Sequence, residues 1–287
     1  MRPTAATIDA PAEAAPAEPP HRGRSMTRRQ PATIVLVVAL AVLVSACGGS
    51  TPGPTLTDPT AIVTAALTST KSARSVHIEA TIDGKATIAL PFAGGAGTPV
   101  DLTGTTISAD LDMAAGSLKA TFAAPGLLNL AGELIEVDRK GYLKTTLTGA
   151  QYQPVDVGGS LPIDPTDTGG FVAAIGDFLL RPGVDPVKGS DVACGTGQCY
   201  TVTADLDPSS LAAILGPAAS GLPIDLSGAG VSITMRVEQS LPYHLAGIAI
   251  TLRMADSTKV KLDATFSKWD IPVSISAPPA DQVKAKS

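Results

Sequence analysis

The chain has 287 residues, 44% of them hydrophobic but only 3% aromatic, and a formal net charge of −5. A mildly acidic balance without a basic cluster argues against nucleic-acid binding and against electrostatic docking on anionic lipid. Three cysteines and three histidines leave little material for a metal framework.

Residues 1–25 are rich in Ala, Pro and Glu and fit no structured class. Met26 stands just before the basic pair Arg28-Arg29, so translation is expected to start there; an extended cytoplasmic n-region is the alternative. The run from Ala32 to Val44 is apolar. At about 13 residues it has the length of a signal h-region and falls short of the ~18–20 that span a bilayer. Val44-Ser45-Ala46-Cys47 then reads as a lipobox, with the Cys47 thiol diacylated and the chain cleaved before it. Residues 26–46 are thus expected to be a lipoprotein signal peptide, with a short uncleaved anchor as the alternative. Cys47 becomes the lipid attachment, holding the protein to the cell membrane on its extracytoplasmic face. One acyl chain anchors only marginally, whereas two or more hold firmly at ~0.8 kcal/mol per buried methylene. Residues 47–57, rich in Gly, Ser, Thr and Pro, make a flexible tether.

Removal of residues 1–46 leaves 16 basic against 23 acidic residues, a net charge of −7, enough chain for one sizeable core. Asp58-Pro59 predicts an N-cap and a proline at the first helical position, followed by an apolar stripe of Ala61, Ile62, Ala65, Ala66 and Leu67. Period-two alternation then dominates. Val76, Ile78, Ala80 and Ile82 alternate with His77, Glu79, Thr81 and Asp83, which predicts a strand with one wet face. Residues 91–104 read as a Gly- and Pro-rich loop. Weaker strands are expected near 103–113, 117–123, 132–138 and 141–147, with Asp138-Arg139-Lys140-Gly141 as the turn between the last two.

Phe171, Ile175, Phe178 and Leu179 recur at helical spacing and stop at Pro182-Gly183. Cys194 and Cys199 flank four residues, and an exported location permits their oxidation, so a local disulfide is expected. Metal binding is the poorer reading of this pair: the spacing is not that of a redox or zinc site, and histidine is absent nearby. A third short helix is predicted from Asp207-Pro208 to Leu215, and residues 216–230 form a second long loop. Val231, Ile233, Met235 and Val237 alternate with polar residues. Ala246, Ile248, Ile250, Leu252 and Met254 form a similar row, with a less polar partner row of Gly247, Ala249, Thr251 and Arg253. Val260, Leu262, Ala264 and Phe266 follow. Many strands with few helices imply one α+β domain over residues 58–280, its helices on one side of a curved sheet, and a disordered tail over 281–287.

Catalytic signatures are missing from the sequence: there is no G-x-S-x-G, S-x-x-K or H-E-x-x-H pattern and no phosphate-cradling glycine loop. His77 falls on a wet strand face and His244 in a turn after Pro242, neither with a Cys or His at ligand spacing, so both read as surface residues. Asp164 and Asp167 read as turn and cap residues beside Pro165. Trp269 reads as a core anchor, with a place on a cavity floor as the alternative. The chain is therefore expected to be no enzyme and to need no cofactor.

The stretches Ser72-Ala73-Arg74-Ser75-Val76-His77-Ile78, Gly141-Tyr142-Leu143-Lys144, Ile163-Asp164-Pro165 before Gly170-Phe171, and above all Ser267-Lys268-Trp269-Asp270-Ile271-Pro272-Val273 with Ala277-Pro278, occur in a telling order. In this order the chain resembles the mycobacterial LppX/LprG-type lipoproteins, whose fold is similar to the LolA and LolB lipoprotein carriers. The resemblance covers roughly residues 57–280. It implies a curved antiparallel half-barrel with helices over its concave face and an apolar cavity between them. It implies, further, binding of acylated lipid or glycolipid, carriage across the cell envelope, and an envelope transporter as partner. On this reading Ile233, Met235, Val237, Ile248, Ile250, Leu252, Phe171, Ile175 and Leu179 line the cavity. The insertion at 93–98 and the Cys194–Cys199 pair depart from the family pattern. Composition alone leaves a second possibility open: an envelope protein with a filled aliphatic core and a structural or interaction role.

Overall fold

Asp58 caps the first element as the sequence predicts, its carboxylate accepting the Ala61 amide at 2.8 Å, and Pro59 follows at the first helical position. The computed structural model describes residues 53–89, 97–155, 175, 176, 178–181, 184–206, 230–254 and 258–284, all within one unit from Ser50 to Ser287. Helix α1 (Pro59–Ser72) buries Ile62, Val63, Ala66 and Leu67. Its many Thr and Ser residues favour other conformations, but their hydroxyls donate back to the carbonyl four residues earlier. Thr70 to Ala66 at 2.8 Å is the buried example, so a polar side chain enters the core satisfied. Residues 175 to 179 are helical where described and pack with α1. A Cβ on Gly176 would lie 2.3 Å from Leu67 Cδ2, so glycine allows this approach.

The strands are β1 (Ser75–Ala89), β2 (Gly97–Asp101), β3 (Thr105–Asp112), β4 (Ser117–Ala124), β5 (Leu130–Val137), β6 (Lys140–Thr145), β7 (Gln153–Val155), β8 (Val187–Lys188), β9 (Val192–Cys194), β10 (Gly197–Leu206), β11 (Gly230–Glu238), β12 (Leu245–Arg253) and β13 (Lys259–Ser267). They form one open, curved sheet of 13 strands. The main path runs β7-β6-β5-β4-β3-β1-β13-β12-β11-β10-β8, while β2 extends the pairing of β1 and β9 pairs with β10. Every strand pair is antiparallel.

Several expectations are corrected here. The loop expected over 91–104 contains β2, and β10 lies in a stretch for which no strand was expected. Among the described residues the helical layer is thin: α1, the turn around 175–179 and a 3-10 turn at Ala280–Gln282. The helix expected at 207–215 lies outside the described residues. The tether is held from Gly53 onward: Gly53 donates to the Gln239 carbonyl, Tyr243 Oη donates to Pro54 O at 2.8 Å, and the Leu56 amide donates to Tyr200 Oη at 3.0 Å. At the other terminus, Gln282 and Lys284 are hydrogen bonded to Tyr152 through its amide and its carbonyl.

Register explains which face is apolar. Directly paired residues share a face, so Val202, Met235, Ile248, Ala264, Ala80, Ile107 and Phe122 form one row across seven strands. A parallel row runs Ala204, Ile233, Ile250, Leu262, Ile82 and Thr105. This inner face is the one α1 covers, and α1 packs over β10, β11 and β12.

Candidate functional site

The inner face has two halves of different character. Under α1 it is closed: Val202, Met235, Val237 and Leu245 are 0% exposed and join Ile62, Val63, Ile175, Phe178 and Leu179 in one core cluster. Away from α1 the same apolar face continues over β13, β1, β3, β4 and β5: Val76, Leu111, Leu118 and Phe266 there are still buried in the same cluster, whereas Ile78, Ile82, Ile107, Phe122, Leu134 and Leu262 are only half-buried. Gly132 makes room there, since a Cβ on it would lie 2.7 Å from Phe122 Cζ. Aliphatic side chains left half in water on a curved apolar sheet are the chemistry of a floor that accepts hydrocarbon.

The expected cavity residues that are described lie in the half under α1 or at its margin. Ile233, Met235, Val237, Ile248, Ile175 and Leu179 are buried in the cluster beneath α1. Ile250 and Leu252 lie at its margin and stay half-buried. Phe171 lies outside the described residues, as do Cys47, Asp164 and Asp167. The half-buried residues of β1, β3, β4 and β5 were not among those expected. Their signal was present in the β1 alternation, and pairing β1 with β13 extends the row.

The outer face is polar. It carries a furrow of about 570 Å³ lined by Glu79, Thr81, Thr106, Ser108, Thr121 and Asp263 among others. Arg236 reaches across β12 to Asp263 at 2.8 Å, passing over Gly247, where a Cβ would lie 2.4 Å from the guanidinium. Glu133 accepts from Tyr152 Oη at 2.8 Å and pairs with Lys119 and Lys144 at 3.2 Å each. Partial burial pushes the Glu133 carboxyl upward. The hydrogen bonds from Tyr152, Lys119 and Lys144 outweigh that and hold it below the usual carboxylate range.

Both histidines are more covered than expected. His77 Nδ1 lies 2.6 Å from Asp110 Oδ1, and its side chain is 13% exposed. His244 stacks on Trp269 with ring centroids 5.1 Å apart, and burial keeps its pKa below the usual value against the pull of Asp270. Trp269 packs on the core margin and donates its indole N–H to Leu245 O at 3.0 Å, as an anchor does. Cys194 and Cys199 are joined in a disulfide, with Cα atoms 5.8 Å apart. Among the described residues, no three His, Cys, Asp or Glu side chains are grouped to hold a metal.

An open antiparallel sheet with a helix on its inner face is a fold this chain shares with a solved lipoprotein structure. The solved structure that carries this likeness is LprF from Mycobacterium bovis, 20% identical over 80% of this chain and 99% of LprF, with a TM-score of 0.52. The lipoprotein LppX from Mycobacterium tuberculosis is 16% identical over 76% of this chain and 98% of its own, TM-score 0.43. A LolA superfamily protein from Nitrosomonas europaea is 11% identical over 76% of this chain and 96% of its own, TM-score 0.27. No family model matches the chain, and no curated protein matches it. At such identities the likeness shows the fold.

Proposed function

We propose that the protein is an envelope lipoprotein that binds acylated lipid or glycolipid on its inner apolar face and carries it across the cell envelope without catalysing a reaction. Cys47 anchors it on the extracytoplasmic face of the membrane, and an envelope transporter supplies or receives the ligand. The observation that carries this reading is the half-buried apolar floor of Ile78, Ile82, Ile107, Phe122, Leu134 and Leu262 on the inner face. Burying ten methylenes there would contribute about 8 kcal/mol before ordering costs, enough for useful affinity. LprF, LppX and the LolA superfamily protein lend support through the kind of fold they share.

One observation favours a second reading, a structural or interaction lipoprotein with a filled core. Met235, Val237 and Ile248 are fully packed beneath α1 and leave hydrocarbon no place in that half. Native mass spectrometry of residues 48–287, produced in a lipid-rich host, separates the two. The carrier should show adducts of acyl-lipid mass and take up a fluorescent fatty acid. A clean apo mass with no uptake would remove it in favour of the filled core.

A further inference from the structure

Leu128 and Leu147 are the two most exposed large apolar side chains among the described residues, at 88% and 71%. Leu128 lies in the turn between β4 and β5, and Leu147 follows β6. The two turns are laced together: the Thr146 amide donates to Ala131 O at 2.8 Å, and the Ala131 amide donates to Thr146 Oγ1 at 3.3 Å. Neither leucine is on a loose loop. Asn129 donates to Pro125 O, while the Thr145 and Thr148 hydroxyls bind the amides of the second turn. Leu128 stands at φ +54° and Asn129 at φ +55°, a region that residues with a side chain seldom enter. A rigid scaffold therefore holds two leucines out in water, side by side, at one rim of the sheet.

Two observations say what should cover them. A stable protein partner would need about 1,200–2,000 Å² of buried surface, and two leucine tips supply only a small part of that. A bilayer interface needs no complementary groove, and shallow apolar tips suffice for reversible attachment. The turns 125–129 and 146–151 themselves contain no charged residue, and Asp101, whose backbone lies against Gly126, is the charged neighbour that must stay on the water side of the interface. The tether points to which bilayer. Gly53 is hydrogen bonded to Gln239, just past the end of β11, and antiparallel register places that end opposite the rim that carries Leu128 and Leu147. Strands of this length run about 30 Å. The chain from Cys47 to Gly53 can span no more than about 20 Å.

We propose that Leu128 and Leu147 form a docking rim that inserts into the lipid surface of a second bilayer, not the one that holds the anchor. The rim gives the carrier reading, on which it rests for its purpose, a place where ligand passes between protein and membrane.

Residues 48–287 labelled with nitrobenzoxadiazole at Leu147→Cys, mixed with vesicles of phosphatidylcholine and phosphatidylglycerol, provide the test. Emission should rise at least about twofold as the probe enters the interface, while the same label at Ala115→Cys, in the turn at the opposite strand ends, stays unchanged. The Leu128→Ser/Leu147→Ser variant, folded by circular dichroism, should lose vesicle affinity by about tenfold or more. A silent label at 147, an equal response at 115, or a double variant that binds like the parent would each overturn the rim. Both leucines lie off the inner face, so the double variant should keep its lipid adducts. A parent protein without lipid adducts, whose vesicle capture is nonetheless lost in the double variant, would sink the carrier reading and leave the rim standing.

Discussion

Glu133 shows how one side chain ties three elements of the outer face. Its carboxylate takes Lys119 from β4, Lys144 from β6 and Tyr152 from the turn before β7, and Lys144 also sits 4.4 Å from the Tyr152 ring centre. Because the folded carboxyl titrates below its ordinary value of 4.5, its contribution is complete above that pH and is lost as pH falls through the folded value. Glu133→Gln should therefore flatten the fall in melting temperature below pH 4.5 and cost about 1 kcal/mol at neutral pH. A melting curve as steep in acid as the parent's would show that other carboxylates govern it. The sequence could not reveal this hub, because its members are contributed by separate strands. His77 carries a similar lesson. Alternation placed it on the outer face, where it is, but alternation does not say what covers a face, and Asp110 and its surroundings leave it only 13% exposed. Gly247 looked like a weak position in a less polar row. It is bare because the Arg236 guanidinium lies across it on the way to Asp263.

At the level of elements, the strands with strict alternation were legible, and so were the weaker ones expected near 103–113, 117–123, 132–138 and 141–147, which are β3, β4, β5 and β6. β1, β11, β12 and β13 fall where Val, Ile, Leu and Phe recur every second residue, and α1 begins at its Asp-Pro signal. β2 was hidden by Pro99 and Gly97, which read as loop residues. Pro99 is tolerated because, among the described residues, β2 pairs only with β1 and leaves its other edge without a partner strand. β7, β8 and β9 have two or three residues each, too few to show a period. β10 does carry the signal, with Tyr200, Val202, Ala204 and Leu206 facing inward. Two elements depend on single points. β1 pairs with β13 as far as Gly84, just where β2 takes over from β3 as its other partner, and Gly84 sits at φ +126° with its missing Cβ directed 2.0 Å from Lys259 O. Gly84→Ala should cost roughly 3 kcal/mol and lower the melting temperature by about 6–12 °C. An unchanged melting point would mean that β1 and β13 can part there freely. The β9–β10 hairpin is closed by Cys194–Cys199. Replacing both by Ala should cost about 2 kcal/mol in the chain-entropy model, read as a drop of about 4–8 °C in a non-reducing melt. No shift between oxidised and reduced protein would assign the pair no structural role.

For the whole molecule, the decisive contrast is between the two halves of one apolar face. A sheet of this curvature buries what its helices cover, and α1 packs mainly over β10, β11 and β12. The core cluster is tightest in that half and extends to Val76, Leu111, Leu118 and Phe266, while the far half also keeps apolar side chains that stay half-buried. Charge placed in each half should behave differently. Met235→Glu puts an unpaired carboxylate at a position of 0% exposure and should unfold the domain, because a buried charge without a partner costs several kcal/mol. Ile107→Glu puts the same group at a half-buried position on the floor, where water can still reach it. It should leave the melting temperature within about 5 °C of the parent while abolishing acyl-lipid adducts in native mass spectra, since the carboxylate makes the floor hostile to hydrocarbon. If Ile107→Glu unfolded the chain as thoroughly as Met235→Glu, the floor would be core by another name, and the molecule would have one filled interior from β10 to β5. If it folded and kept its adducts, the hydrocarbon would have to lie elsewhere. Only a folded, lipid-free Ile107→Glu protein agrees with a sheet whose one half is built for stability and whose other half is kept open for cargo.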